Sequence, residues 1–361
     1  MGSKKIWIKT NANESIAIGH MRRCMTIAKE LADLGASVKF ILSDNESERV
    51  LKDMSEKDGV FYTSKVLNTT YSEPLGDLNV LDEMFANEKP DFYLMDSYYL
   101  EREYFDGING LINKHRLSTK TGYIDDLYKF DYPVDFILNY DLEIPENFYS
   151  AKKQLLGVKY APLRSQFAKC DYETREHAKV AFLSSGGTDP YHVIGKILQE
   201  IYSEESPCRK VLAFNDFRCL VIVGALFEED YKRELREFAK VNPSVTLFEG
   251  VSDMADIMKQ ADLAISAGGT TLYELCAVGV PTVVYSMADN QMEFVKAFDK
   301  AGAVRYAGDA RDNHRLAQKI VTWGTAAVDS KGFRKRMSES ARSLIDGKGA
   351  LRIAKAIMEL A

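Results

Sequence analysis

Two segments in the second half of the chain, Ser184-Ser185-Gly186-Gly187-Thr188-Asp189 and Ser266-Ala267-Gly268-Gly269-Thr270-Thr271, set a glycine pair between an apolar run and a helical pattern. Glycine lets the backbone approach an anion closely, and the first N–H groups of the following helix add donors and a partial positive charge, so each segment suits a phosphate. A tight strand-to-helix turn capped by serine or threonine has the same appearance; two such turns in one domain favour binding. Glu274 follows Thr270 by four residues, on the same helix face and one turn, about 5.4 Å, further along. A carboxylate there can accept from both hydroxyls of a ribose whose phosphates rest on the helix start. The plainer alternative is a solvated helix glutamate. Asp289-Asn290-Gln291 begins a later helix with one carboxylate and two amides. Such groups either hold hydroxyl or acetamido substituents of a sugar or form an N-cap cluster.

A base that works near neutral pH has few candidates, because the chain has 5 histidines: His20, His115, His177, His192 and His314. His20 follows Gly19 at the start of the first helix, with Arg23 one turn later. This places an imidazole at the rim of a ligand crevice, where it serves as a general base or merely caps its helix. No HExxH, GxSxG, GxxxxGK[ST] or zinc-ligand spacing occurs, so metalloprotease, serine-hydrolase and P-loop chemistry have no support, and no metal site is expected.

Alternating strands and helices must position these groups. Ile6-Trp7-Ile8-Lys9-Thr10, a helix over residues 20–34 and Ser37-Val38-Lys39-Phe40-Ile41-Leu42 form a βαβ opening. Met21, Cys24, Ile27, Ala28, Leu31 and Leu34 line one face of that helix, and Gly35 stops it. Later strands at residues 92–95, 121–124 and 136–138 are followed by Asp96, Asp125 and Asn139, and in an open parallel sheet such positions line the ligand crevice. Residues from about 147 to 177 lose this rhythm. A second series follows, with strands at 180–183, 219–223, 245–248, 263–266 and 282–285 and helices at 228–241 and 254–260, then closing helices from residue 332 interrupted at Gly347-Lys348-Gly349. The expected fold class is α/β, with residues 1–160 as an N-terminal Rossmann-like domain, 161–345 as a nucleotide-binding Rossmann-like domain and 346–361 as a C-terminal helix.

At 361 residues, with 46% hydrophobic content, the chain can build two cores. Its 47 lysines and arginines against 53 acidic residues leave a net charge of −6, which gives no electrostatic reason to expect a nucleic acid. Cys24, Cys170, Cys208, Cys219 and Cys276 show no paired CxxC spacing, which suits the reducing cytoplasm better than a disulfide framework. No apolar run approaches the ~18 residues of a membrane span.

Taken together, the motifs resemble the inverting glycosyltransferase-B superfamily, and more closely the UDP-sugar hydrolases of pseudaminic acid biosynthesis. Ile16-Ala17-Ile18-Gly19-His20-Met21-Arg22-Arg23-Cys24 is similar to that family's glycine-histidine loop, with Ala17 where a first glycine is usual. Leu94-Met95-Asp96-Ser97-Tyr98 resembles its aspartate-x-tyrosine segment, and Tyr160-Ala161-Pro162-Leu163-Arg164 its interdomain region. Gly186-Gly187-Thr188-Asp189, Met254-Ala255-Asp256-Ile257-Met258, Ala267-Gly268-Gly269-Thr270-Thr271-Leu272-Tyr273-Glu274 and Ala288-Asp289-Asn290-Gln291 resemble its later signature, with His192 where an amide is common. Several of these are shared with the N-acetylglucosaminyl transferase of peptidoglycan synthesis and with spore-coat polysaccharide proteins.

The resemblance implies a GT-B fold, two facing doubly wound domains with the ligand in the cleft between them. It also implies hydrolysis of UDP-2,4-diacetamido-2,4,6-trideoxy-altropyranose to the sugar and UDP, by water attack at the anomeric carbon with inversion, without metal or cofactor. His20 is then the base, and Asp96 or Tyr98, across the crevice, orients water or the imidazole. Gly186, Gly187, Thr188, Asp189, Gly268, Gly269, Thr270, Thr271 and Glu274 bind the nucleotide. Gly19, Arg23, Asp289, Asn290 and Gln291 bind the sugar. An inverting transferase with a sugar or lipid acceptor, and a non-catalytic nucleotide-sugar binder, share these motifs.

Overall fold

The computed structural model describes residues 2–13, 18–168, 170–206, 217–312 and 314–361, excluding the side chain of Asn290. The chain divides into two compact units, Met1–Arg164 with Lys348–Ala361, and Ser165–Gly347.

The first unit is built on a parallel seven-stranded sheet in the order β3-β2-β1-β4-β5-β6-β7. Its strands are β1 (Lys5–Lys9), β2 (Ser37–Leu42), β3 (Thr63–Val66), β4 (Phe92–Met95), β5 (Lys120–Ile124), β6 (Phe136–Asn139) and β7 (Lys153–Leu156). Helices α1 (Gly19–Asp33), α2 (Asn45–Asp58), α3 (Asp77–Asn87) and α4 (Arg102–Lys114) connect the early strands. The strand order reverses between β1 and β4, whose carboxyl ends form the switch point where ligands of such sheets bind. Sequence periodicity locates the central strands, which are buried on both faces and read as continuous apolar runs. It misses β3 and β7, the two edges, which are only partly buried and mix charged with apolar residues. β7 lies within the stretch that lacks strand rhythm in sequence.

α1 buries Met21, Cys24, Ile27, Ala28 and Leu31 in the face expected from their spacing. Gly35, at φ 88°, closes it, with the Gly35 and Ala36 N–H groups donating to the Ala32 and Leu31 carbonyls. Against this face lie Ile353, Ala354 and Ile357 of the last helix, Gly349–Leu360, so the end of the chain completes the core of the first unit. Gly122 in β5 sits between the Phe92 and Phe136 rings, where an added Cβ comes within 2.7 Å of Phe92. The absent side chain is what lets these rings meet edge-to-face at 5.8 Å.

The second unit carries a parallel six-stranded sheet in the order β10-β9-β8-β11-β12-β13. The strands are β8 (Val180–Ser184), β9 (Arg218–Val223), β10 (Val245–Glu249), β11 (Leu263–Ala267), β12 (Thr282–Ser286) and β13 (Arg305–Asp309). Among the described residues its helices are α5 (Val193–Tyr202), α6 (Glu229–Val241), α7 (Met254–Met258), α8 (Thr270–Val278), α9 (Asp289–Lys300), α10 (Leu316–Asp329) and α11 (Lys331–Leu344); the closing helix of the first unit is α12 (Gly349–Leu360). β13 is again a half-buried edge without an apolar run. Here the order reverses between β8 and β11, the strands that the two glycine turns follow. No helix among the described residues is long and apolar enough to cross a membrane.

Candidate functional site

In the first unit, side chains distant in sequence converge at the switch point. Asp96 directly follows β4, and its N–H donates to the Lys9 carbonyl at 2.9 Å, which continues the ladder to β1 and fixes the carboxylate beneath the start of α1. His20 is the second residue of α1, and Arg23 is one turn further on the same face. The His20 Nδ1 lies 2.6 Å from Asp96 Oδ1. Arg23 grips the same carboxylate with two nitrogens, Nε reaching Oδ2 at 2.6 Å and Nη2 reaching Oδ1. Its Nη1 donates to Asp126 Oδ2 at 3.0 Å and to the Tyr140 hydroxyl at 2.7 Å. Tyr98 donates to the same Asp126 oxygen at 2.9 Å, and its ring stands edge-on to His20 with centroids 4.3 Å apart.

Burial works to raise the Asp96 pKa, but Arg23 and His20 outweigh it and hold the carboxyl well below the usual range. An ionised carboxylate only accepts hydrogen bonds. In the tautomer that carries its proton on Nδ1, His20 donates to Asp96 and keeps Nε2 as an acceptor; Arg23 Nη2 lies 3.0 Å from the same Nδ1. Burial and Asp126 push the Tyr98 phenol far above its ordinary value, so it acts as a hydroxyl donor and not as a base. Burial opposes the charge on Arg23, yet Asp96, Tyr140 and Asp126 keep it firmly protonated.

Several expectations change. His20 is inside α1, which has no side-chain cap, so it is not a helix cap. Asp96 and Tyr98 belong to the same unit as His20 and touch it directly, rather than acting from across a crevice. Arg23, expected on a sugar, has its donors committed to Asp96, Asp126 and Tyr140 and is 11% exposed; it positions the cluster. Gly19 opens α1 with open space around it. Ala17 lies outside the described residues. Asp125 is fully buried and accepts from the Leu127 and Tyr128 N–H groups and the Tyr132 and Tyr149 hydroxyls. Asn139 is likewise buried, donating to the Tyr149 hydroxyl. Both hold loops together. Asp126 and Tyr140, not singled out from the sequence, are the members that reach Arg23. The available signal was the strand alternation, which sends a residue's neighbour to the opposite side.

In the second unit the two glycine turns differ. After β8, Gly186 takes φ 81° and its N–H donates to the Ser184 hydroxyl at 3.1 Å. Gly224 lies so close that an added Cβ meets the Gly186 and Gly187 carbonyl oxygens at 2.5 Å, which makes it a supporting glycine that sequence reading passed over. No helix starts at Thr188. α5 begins at Val193, and the buried Asp189 closes its N-terminus, accepting from the Val193 and Ile194 N–H groups at 2.9 Å each and from the Tyr231 hydroxyl at 2.9 Å. The expectation that Asp189 contacts nucleotide and that this helix start receives a phosphate is thereby corrected, because an internal carboxylate already occupies the place of the anion. His192, at φ 50°, stacks on Tyr231 with ring centroids 3.9 Å apart.

The second turn does open a helix. Gly268 donates to the Tyr285 carbonyl at 2.8 Å, α8 begins at Thr270, and no side chain caps it, so its first N–H groups remain for an anion. Glu274 is half-buried one turn along. Gly268 abuts α9, where a Cβ meets Val295 at 2.4 Å and Gln291 Cβ at 3.5 Å. Gln291 uses its amide oxygen to accept from the Met287 N–H at 2.8 Å, which closes the turn into α9. Asp289 is exposed and pairs with Arg311 at 2.8 Å. The Asn290 side chain lies outside the described residues, as does Cys208. Cys24, Cys170, Cys219 and Cys276 are buried and form no disulfide among the described residues. Among the described residues no group of three His, Cys, Asp or Glu side chains is placed to hold a metal.

Residues 196–345 match the family model of the glycosyltransferase family 28 C-terminal domain. The spore coat polysaccharide biosynthesis protein SpsG of Bacillus subtilis is 28% identical over 196 residues, 54% of this chain and 54% of that protein. The pseudaminic acid cytidylyltransferase and UDP-2,4-diacetamido-2,4,6-trideoxy-beta-L-altropyranose hydrolase of Helicobacter pylori is 24% identical over 289 residues, 79% of this chain and 45% of that protein. The chain spans about half the length of the curated relatives it matches. The crystal structure of MurG from Acinetobacter baumannii superposes with a TM-score of 0.65 at 14% identity, over 99% of each chain. The fold is thus GT-B, with two Rossmann-like parallel sheets.

Proposed function

We propose that this chain cleaves a UDP-sugar to the free sugar and UDP by attack of water on the anomeric carbon with inversion. The sugar is 2,4-diacetamido-2,4,6-trideoxy-altropyranose or a close relative, and the setting is nonulosonic (pseudaminic) acid or surface or spore-coat polysaccharide biosynthesis. The observation that carries this reading is the His20–Asp96–Arg23 cluster, an oriented imidazole whose Nδ1 is held by an ionised carboxylate and whose Nε2 is left to take a proton. Support comes from the names of the H. pylori and B. subtilis relatives.

In this mechanism a water oxygen forms its bond to the anomeric carbon as the bond from that carbon to the β-phosphate oxygen breaks. His20 Nε2 takes the water proton, and Asp96 stabilises the imidazolium. The bonding pair leaves with UDP, whose growing charge falls on the N–H groups at Thr270 and Thr271. Glu274 accepts from the ribose hydroxyls, and Asp289, Asn290 and Gln291 hold the sugar substituents. A transferase, in which an acceptor hydroxyl replaces water, draws on the family 28 match of the second unit.

The test is a panel of UDP-sugars, with and without acceptors, in oxygen-18 water. Hydrolysis without acceptor, label on the sugar's anomeric hydroxyl and none in UDP are expected. His20→Ala is expected to lose roughly two to four orders of magnitude in turnover. Label in the β-phosphate overturns attack at carbon, and turnover only with an acceptor establishes the transferase.

A further inference from the structure

A cavity of about 680 Å³ in the first unit, none of whose lining residues belongs to the His20 cluster, lies between the loop that follows β3 and the loop that leads from β4 into α4. Its volume is in the range of small-molecule sites. One wall is aromatic and apolar, formed by Tyr99, Tyr104 and Leu75; Tyr71 braces Tyr99 edge-on, with ring centroids 5.4 Å apart. Tyr99 and Leu75 are 40% and 53% exposed, apolar surface that a ligand can cover. Thr70 and Ser72 also line the cavity, while Thr69, a further lining residue, donates its hydroxyl to the buried Asp77. The charged lining residues are all acidic: Glu73, Glu101 and Glu103. Glu101 is paired with Lys129 at 2.6 Å, which leaves Glu73 and Glu103 to act on whatever enters.

We infer that this cavity binds a saccharide carrying a protonated amine. Hydroxyl-bearing rims and a tyrosine wall suit a sugar ring, and two uncompensated carboxylates beside an aromatic face favour an ammonium through charge and cation–π attraction. The same charges repel nucleotides and sugar acids, so this is not a second phosphate site. The inference concerns the first unit alone and stands whether or not the chain hydrolyses a UDP-sugar.

The probe is glucosamine, titrated into the full chain labelled with nitrogen-15 and followed by amide shifts of Gly76, Tyr99 and Glu103. Glucose, N-acetylglucosamine and glucuronate serve as comparisons. Saturable shifts at those amides, with glucosamine at least five-fold tighter than glucose and glucuronate not bound, are the expected result. A Glu73→Gln, Glu103→Gln double variant, conservative at exposed positions, is expected to lose at least three-fold of that affinity with an unchanged melting temperature. Glucosamine that binds no better than glucose, shifts that do not saturate, or equal affinity in the folded double variant overturns the inference.

Discussion

Replacing Asp96 by asparagine tests whether one carboxylate organises the first-unit cluster. Arg23 claims both Asp96 oxygens, Nε on Oδ2 and Nη2 on Oδ1, and His20 Nδ1 shares Oδ1. An amide cannot satisfy all three. With its oxygen at the Oδ1 position, its NH2 meets the Arg23 Nε–H, donor against donor. With the amide turned over, the NH2 meets the Arg23 Nη2 and donates to His20 Nδ1, which forces the imidazole proton onto Nε2. Arg23 is 11% exposed and Asp96 wholly buried, so breaking this pair is expected to cost about 3–5 kcal/mol. In serine-protease triads the equivalent exchange lowers turnover by about 10⁴ through the wrong tautomer. Urea denaturation of parent and variant measures the first effect, and long-range proton–nitrogen-15 spectra of the His20 ring report the tautomer without any substrate. A variant within about 1 kcal/mol of the parent whose imidazole keeps its proton on Nδ1 refutes the reasoning.

Three further outcomes are expected. Burial pushes the Asp141 carboxyl up to about 6 against the Tyr128 hydrogen bond, with Asp126 and Asp125 adding to the rise. The folded state then binds the proton more tightly than the unfolded one, so this group's contribution to stability is lost as pH rises from about 4 to about 6 and stays lost above. Asp141→Asn is expected to be about 1–3 kcal/mol more stable than the parent at pH 7.5 and indistinguishable at pH 4, by denaturation at both pH values; a pH-independent difference removes the titration as cause. Asp189→Ala strips acceptors from Val193 N–H, Ile194 N–H and Tyr231 and is expected to cost about 2–4 kcal/mol, whereas an unchanged melting temperature with lost UDP binding in calorimetry returns Asp189 to the ligand. Gly224→Ala drives a methyl against the Gly186 and Gly187 carbonyls and is expected to destabilise by about 1–3 kcal/mol and to weaken UDP about ten-fold if that turn takes part in binding, again by calorimetry.

Much of this protein is local physical chemistry, and that part is legible in the chain. The strands at residues 37–42 and 92–95 and the face of α1 follow from apolar runs and three- and four-residue spacing, because burial on both sides of a sheet leaves that mark. The Gly268–Thr270 turn is equally local, a glycine at a strand end with an uncapped helix behind it. The partners within each site are decided only by tertiary structure. His20, Arg23, Asp96, Asp126 and Tyr140 meet because the strand order 1-4-5-6 lays successive strand ends side by side, and periodicity along one segment carries no information about which strands are neighbours. For the same reason Asp125 and Asp126, alike in sequence, part into a buried loop anchor and a site residue. Asp189 likewise reads as a ligand contact until α5 is seen to begin at Val193, with the carboxylate closing its end. A side chain's type sets what bonds it can make; the crossovers and helix starts of the fold set which of them it makes.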